Sequence, residues 1–196
     1  MSAKRQITRA DIIDVDDYAK QRKELKKRIT EIKRNRRIAV GPFVTFYFEN
    51  YDTMWHQVQE MLHIERGGAA QIPDELAAYN PLIPNGAELV ATFMIEIDDP
   101  VRRADALGRL GGIEETVFLR LAGETIRARA EADQDRTTAA GKASSVQFVH
   151  FPFTPAQIAA FGVLHAEVVL GLDHPNYGHM AMLPEATRAE LAGDFG

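Results

Sequence analysis

The pattern of apolar and polar positions divides the chain into a long helical start and a mixed body of strands and helices. Over residues 11–34, apolar side chains recur at Tyr18, Leu25, Ile29 and Ile32, which are seven, four and three positions apart. This spacing places them on one narrow seam of a helix. Since a narrow apolar seam needs a surface to cover it, the pattern predicts a helix that packs against another element.

The rest of the chain alternates between strand-like and helix-like patterns. Runs of β-branched and aromatic residues predict strands. Capping residues followed by helical spacing predict helices. The predicted strands are residues 38–40, 43–48, 88–97, 116–121, 125–129, 145–151, 168–172 and 179–183. The predicted helices are residues 50–66, 73–79, 98–110 and 154–161, with a last one that starts at Pro184.

Several predicted strand pairs have connections of hairpin length, which favours antiparallel pairing. The sequence therefore predicts an α+β fold with a mostly antiparallel sheet, packed helices and a long basic N-terminal helix. The polar stretch 133–143 is predicted as a loop. We divide the chain into a basic N-terminal helical arm, residues 1–37, and a single α+β domain, residues 38–196.

Charge is distributed unevenly between these two parts. Residues 1–37 hold 13 of the 23 Lys and Arg against six acids, a balance of +7, whereas residues 38–196 have a balance of −12. The basic segment either docks on an acidic body, its own or that of a twin subunit in a homo-oligomer, or binds another anionic partner. The interspersed acids and scarce aromatic residues disfavour nucleic acid.

Composition and missing motifs exclude several classes of protein. The chain has no cysteine, which excludes disulfides, thiolate metal sites and a cysteine nucleophile. It lacks an apolar run of membrane-spanning length and a signal-peptide pattern, so we expect a soluble, cytoplasmic protein. Phosphate-binding and dinucleotide fingerprints are also missing, so no nucleotide cofactor is expected.

Two histidines flank a turn-like segment near the end of the chain. His174 and His179 enclose residues 175–178, which read PNYG. If these four residues form a hairpin loop, the histidines close it as an opposed pair with Cβ atoms about 4.5–5.5 Å apart. Two imidazoles at that separation can share a divalent metal. The alternative is an exposed turn in which Asn and Gly serve only the turn geometry.

Two further side chains are candidates to complete a metal site. His150 lies on a predicted strand, on a face that we expect to be half-buried, where a histidine usually hydrogen-bonds a neighbour. Glu60 shares one face of a predicted helix with His56 and His63, which is either a metal patch or a polar solvent face. Without cysteine, a site of imidazoles and carboxylates suits iron, manganese or zinc.

Polar residues at element junctions are candidates to line a pocket. Glu49 and Tyr51 lie where a predicted strand meets a predicted helix, and Asn80 lies in a proline-rich loop. Asn176 and Tyr177 lie in the segment between the two histidines. Residues at strand ends beside a helix N-terminus often form binding sites, although they also often cap the helix.

Three stretches resemble one uncharacterised bacterial family, domain of unknown function 3501, over nearly the whole chain. They are residues 47–55 (YFENYDTMW) continuing at 57–62 (QVQEML), residues 78–84 (AYNPLIP) and residues 174–179 (HPNYGH). The family has no established activity, so the resemblance implies no catalytic residues. It does imply a setting beside rubrerythrin-like proteins and iron–sulfur oxidoreductases, and therefore a role in iron metabolism or oxidative stress.

These observations leave three hypotheses of function. The first is a protein that binds a non-haem metal through His174 and His179, with His150 or a carboxylate such as Glu60 completing the site, and that acts with rubrerythrin-type or iron–sulfur partners. The second is a non-enzymatic accessory module that docks a redox partner through the basic N-terminal helix. The third is a metal-free enzyme that acts on a small molecule, with a pocket that uses Glu49, Tyr51, Asn80 and Tyr177.

Overall fold

A computed structural model describes residues 4–131, 137 and 141–196, so most of the loop predicted over 133–143 lies outside the described residues. The helices are α1 (Val15–Arg34), α2 (Tyr51–Glu65), α3 (Ile72–Tyr79), α4 (Pro100–Gly108), α5 (Pro155–Gly162) and α6 (Glu185–Ala192). The strands are β1 (Arg37–Val40), β2 (Val44–Phe48), β3 (Glu88–Ile95), β4 (Val117–Leu121), β5 (Glu124–Arg127), β6 (Arg129–Ala130), β7 (Val146–Pro152), β8 (Val168–His174) and β9 (Tyr177–Met182).

The strands form two antiparallel sheets. One sheet has the strand order β1-β2-β3-β7-β6, and the other has the order β5-β4-β8-β9. Every pair of neighbouring strands is antiparallel. The predicted α+β class is therefore confirmed, with two sheets instead of one.

The two sheets face each other across one apolar core. Strand β2 contributes to this core from one face only. Val44, Phe46 and Phe48 belong to the core, whereas the side chains of Thr45 and Tyr47 point to the opposite face of the sheet. Alternation along a strand places successive side chains on opposite faces. Strands β4 and β8 contribute aliphatic side chains to the same core from the second sheet.

Both edges of the pair of sheets are joined. At one corner the chain passes from β5 into β6 through Ala128, and so from one sheet into the other. At the other corner the hydroxyl of Tyr177 donates to the carbonyl of Val40 at 2.7 Å and accepts from the backbone N–H groups of Phe43 and Val44. The hydroxyl therefore ties β9 to the turn between β1 and β2.

A helical layer covers the outer face of the five-stranded sheet. Met54, Val58 and Leu62 of α2 pack with Ile7 and with Val90, which points outward from β3. These positions repeat with the spacing of one helix face. The outer face of this sheet is therefore the second apolar surface of the molecule, and it positions the candidate site.

Helix α1 begins later than the sequence pattern predicts. Thr8 and Asp11 close a separate short turn, in which the Asp11 carboxylate accepts from the Thr8 backbone N–H at 2.9 Å. The helix itself starts at Val15, with Asp14 as its N-cap. In the described part of the chain, no helix has both the length and the apolar character that a membrane span requires.

Candidate functional site

The outer face of the five-stranded sheet forms the floor of a cleft. The strand register places Tyr47, Thr92 and Phe148 side by side across β2, β3 and β7. Met94 and Val146 form the adjacent row of the same face. Directly opposed side chains on one face of a sheet are in contact distance, so these five residues make a continuous surface.

Helices roof this surface and leave space above it. We call the space the sheet cleft; its volume is about 520 Å³, within the range typical of small-molecule sites. Its apolar lining consists of Met54, Leu82, Met94, Val146 and Phe148. Its polar lining consists of Lys33, Tyr47, Glu49, Gln57, Tyr79 and Thr92. The cleft thus combines apolar walls with a few polar groups.

Glu49 is a buried polar residue of the sheet cleft. It follows the last residue of β2 and continues the alternation, so its side chain points to the outer face, where it is only 4% exposed. Its backbone N–H donates to the Val90 carbonyl, and its carbonyl accepts from the buried guanidinium of Arg36 at 3.0 Å. The next residue, Asn50, caps α2 and turns the chain away.

The two carboxylate oxygens of Glu49 differ in their partners. Oε1 accepts from the Thr92 hydroxyl at 2.7 Å. Oε2 is buried and has no hydrogen-bond partner among the residues that the structure describes. A buried acceptor without a donor costs free energy, and such groups are rare in folded proteins. Glu49, which lines the sheet cleft, therefore carries a buried and unsatisfied carboxylate oxygen.

Two tyrosines supply hydroxyl groups beside the cleft. Burial raises the pKa of Tyr79, which keeps its hydroxyl protonated. The Tyr47 hydroxyl donates to the Glu96 carboxylate at 2.8 Å. Burial is the largest cause that raises the pKa of Tyr47, and this hydrogen bond is the second largest. Neither hydroxyl is therefore a base near neutral pH, and both present aromatic surface to the cleft.

The predicted histidine pair does not close a four-residue loop. His174 pairs with Tyr177, and His179 pairs with Leu172, so the loop is only Pro175 and Asn176. The strand pairing thus continues into the predicted loop as far as Tyr177, whose hydroxyl binds the Val40 carbonyl. His174 and His179 still share a face, but diagonally, and an aromatic ring lies between them.

Each of these two histidines has other contacts. His174 is buried; its Nδ1 accepts from the Asn176 N–H, and its Nε2 lies 3.2 Å from the Gly111 carbonyl. This network is satisfied by the neutral tautomer with its proton on Nε2. The exposed ring of His179 packs on the ring of Tyr177, with their centroids 4.4 Å apart.

His150 lies on the outer face of β7, away from the hairpin. Its Nδ1 is 3.2 Å from Glu88, and its Nε2 is 2.9 Å from Glu131. The hydrogen bond to Glu88 is the main cause that raises the pKa of His150. Because both nitrogens face carboxylates, the arrangement suits an imidazolium that donates twice.

Glu60 faces α1 and binds cations of that helix. Its carboxylate accepts two hydrogen bonds from Arg22, each at 2.8 Å, and one from the Tyr18 hydroxyl, and it lies 3.1 Å from the Lys26 ammonium. Arg22 is the largest cause of the lowered pKa of Glu60. Arg28 also approaches an α2 acid, Asp52. These contacts correspond to the alternative in which the basic segment docks on its own acidic body.

The four predicted metal ligands therefore do not meet at one place. Over residues 4–131, 137 and 141–196, no group of three or more His, Cys, Asp or Glu side chains is arranged to hold a metal ion. The ligand set that the sequence suggested does not fit one site in this part of the chain. Metal binding by His174, His179, His150 and Glu60 stays a prediction.

Of the predicted pocket residues, Glu49 alone lines the sheet cleft. Tyr51 lines two other surface clefts, and Asn80 binds the backbone N–H and carbonyl of Ile7. Asn176 and Tyr177 line a separate cleft of about 260 Å³ beside the β1–β2 turn. The structure thus distributes these five residues over different surfaces.

Sequence reasoning missed several residues of the cleft, among them Thr92, Met94 and Gln57. The alternation along β3, with polar Thr92 between apolar neighbours, indicates an outward position. Nothing local in the sequence indicates that Thr92 lies beside Glu49, because strand order and register decide that contact.

The fold and the cleft define a class: α+β proteins in which two antiparallel sheets enclose one core and a helical layer leaves a cleft on an outer sheet face. The family model described as a protein of unknown function, DUF3501, matches residues 6–195, so the chain belongs to this family. The predicted resemblance is thereby confirmed.

One solved structure is similar over almost the full chain. It is the crystal structure of a novel protein of unknown function from Burkholderia pseudomallei, with 36% sequence identity and a TM-score of 0.90. The match covers 97% of this chain and 100% of that chain. No curated protein matches the sequence. The comparisons therefore support the fold and the family, and they name no ligand.

Proposed function

We propose that this protein binds a small organic molecule in the sheet cleft. The observation that carries the proposal is the buried, unsatisfied Oε2 of Glu49, a residue that lines a cleft of about 520 Å³. A pocket with apolar walls and a few converging polar groups is the usual form of a ligand site. A ligand that donates to Oε2 would remove the cost of that buried acceptor.

The metal-dependent function beside rubrerythrin-type or iron–sulfur partners rests on the family resemblance and on a shared ligand set. In the described chain the four suggested ligands have separate partners. Docking of a redox partner through α1 would compete with the ion pairs that Arg22 and Lys26 make to Glu60. The sheet cleft is therefore the better supported site of function.

The methionines of this chain provide a direct test. Met54 and Met94 line the sheet cleft, while Met180 and Met182 are exposed on β9, on the other sheet. We expect that some members of a fragment library will shift the NMR signals of isotope-labelled methyl groups of Met54 and Met94 together. The signals of Met180 and Met182 should stay in place.

A cleft-filling variant provides the control. Gln57→Phe places an aromatic ring in the sheet cleft, so the fragments should no longer shift the signal of Met94. The proposal is wrong if no cationic, neutral or anionic fragment shifts Met54 and Met94. It is also wrong if the fragments shift the exposed Met180 and Met182 equally, because such binding would be nonspecific.

A further inference from the structure

We infer that the ligand of the sheet cleft carries a protonated amine, which donates to Oε2 of Glu49, on an apolar body that fills the rest of the cleft. The inference rests on the proposed function and adds the chemical class of the ligand. It follows from the partners of Glu49, from the walls of the cleft and from the position of Lys33.

The partners of Glu49 require a donor. Oε1 already accepts from the Thr92 hydroxyl, whose proton is used in that bond, so Thr92 cannot also satisfy Oε2. A carboxylate offers only acceptor sites, and the group that meets Oε2 must bring a hydrogen. Among donors, a cationic one forms the shorter and stronger bond to a carboxylate and also compensates its buried charge.

The walls of the cleft require an apolar body next to that donor. Met54, Met94 and Phe148 present thioether and aromatic surface, and Tyr79 adds a second ring. Aromatic faces attract a cation, and methionine side chains adapt to varied apolar shapes. A small inorganic cation would leave most of this surface uncovered, whereas an organic amine would cover it.

Among the residues that the structure describes, Lys33 is the one cationic side chain that lines the cleft. It lies near the end of α1 and does not hydrogen-bond Oε2 of Glu49. An ammonium that lines the cleft repels a second ammonium brought close to it, so we place the amine of the ligand at Glu49 and not beside Lys33. Removing the Lys33 charge should therefore make amine binding tighter.

Matched probes that share one body and differ in the head group test the inference. The first series is phenethylamine, phenethyl alcohol and hydrocinnamate, and the second is hexylamine, hexanol and hexanoate. Titrations follow the methyl signals of Met54 and Met94. We expect each amine to bind at least about ten-fold more tightly than its alcohol, with the carboxylates weakest.

Three variants locate the head group. Glu49→Gln keeps an acceptor for Thr92 and removes the charge, so it should abolish the preference for the amine over the alcohol. Glu124→Gln, a matched charge removal at an exposed residue of β5, should preserve that preference. Lys33→Met removes the cation that repels the ammonium of the ligand, so amines should bind it more tightly, and weaker amine binding in this variant would overturn the inference.

The outcomes separate the inference from the proposed function. If the alcohols or carboxylates shift Met54 and Met94 as strongly as the amines, the ligand class is wrong while the cleft remains a binding site. An amine preference that survives in Glu49→Gln also overturns the inference. If no probe and no library fragment shifts these signals, the proposed function itself is wrong.

Discussion

At the scale of single residues, His150 shows how neighbours set the charge of a side chain. The Nδ1 atom of His150 is hydrogen-bonded to Glu88, and its Nε2 atom to Glu131. Both carboxylates raise the pKa of His150 above the usual 6.5, and Glu88 has the larger effect. A histidine whose pKa is higher in the folded state stabilises the fold fully below its unfolded pKa. That stabilisation is lost as the pH rises through the folded pKa.

Removing Glu88 should therefore change both titration and stability. We expect Glu88→Gln to lower the pKa of His150, as followed by NMR titration of its imidazole. The variant should also lose more unfolding free energy at about pH 6 than at about pH 9 relative to the unchanged protein. Glu24→Gln, on the exposed surface of α1, serves as the control and should alter neither property. A His150 pKa that does not move would contradict the prediction.

Gly41 is the residue at which backbone shape and close packing coincide. Its φ is +74°, and a Cβ atom there would lie 2.6 Å from the Tyr177 hydroxyl oxygen and 2.7 Å from the His179 ring. Gly41→Ala should lower the unfolding free energy by about 1–3 kcal/mol, measured by urea denaturation.

Gly108 provides the matched control for that substitution. It is the last residue of α4, and a Cβ atom there would meet nothing within 4 Å. Gly108→Ala should raise the unfolding free energy by about 0.4–1 kcal/mol, since alanine restricts the unfolded chain. Equal effects of the two substitutions would show that the contact with Tyr177 does not constrain position 41.

At the scale of elements, the sequence was informative wherever the information is local. The aromatic and β-branched content of residues 43–48 predicted the strand that precedes Glu49, and capping by Asn50 or Asp52 predicted the start of α2. The contact between Glu49 and Thr92 joins residues 43 positions apart. Such contacts depend on which strands pair and in which register, which a single segment does not encode.

The β8–β9 hairpin illustrates the same limit. Turn chemistry in residues 175–178 predicts a hairpin, and the structure has one. Tyr177 belongs to β9, where it pairs with His174, and its hydroxyl binds a carbonyl 137 positions away in the sequence. A local pattern could not reveal that anchor, so the opposed pairing of His174 and His179 was wrong even though the hairpin was right.

The interface between α1 and α2 carries groups that respond to acid. Burial lowers the pKa of His56, while Glu60 acts to raise it and the cations Lys33, Lys26 and Arg22 act to lower it further. Below pH about 6.5 the unfolded chain binds a proton that the folded imidazole excludes, so stability falls as the pH decreases. The lowered pKa of Glu60 acts in the same direction at more acidic pH.

We therefore expect acid to loosen α1. Protection of the α1 amides against hydrogen exchange, corrected for intrinsic exchange rates, should fall between about pH 7 and pH 5. His56→Leu should make this fall smaller, because an apolar side chain has no proton to bind. If protection in the variant decreases with acid as steeply as in the unchanged protein, His56 is not the responsible group.

At the scale of the whole molecule, the two apolar layers have different roles. The core between the sheets is filled by aliphatic and aromatic side chains, while the second layer, under α2, contains the sheet cleft. The unsatisfied Glu49 lies in that second layer. An unpaired buried acceptor lowers the stability of the fold. Residues that lower stability in this way are common at functional sites.

If Glu49 serves ligand binding and lowers the stability of the fold, substitutions of Glu49 should change the two properties in opposite directions. Thr92→Val alone removes the donor to Oε1, leaves both carboxylate oxygens unsatisfied and should cost about 1–3 kcal/mol of unfolding free energy. The double variant Glu49→Met with Thr92→Val replaces the pair by apolar groups of similar shape, and it should be at least as stable as the unchanged protein.

Urea denaturation and the methionine NMR titration measure the two properties on the same samples. The double variant should keep or gain stability, because the buried carboxylate is gone together with its partner, and it should lose the preference for amines. If it is less stable than Thr92→Val alone, the Glu49 carboxylate supports the fold. In that case its unpaired oxygen is a structural feature, and the sheet cleft loses the observation that connects it to a ligand.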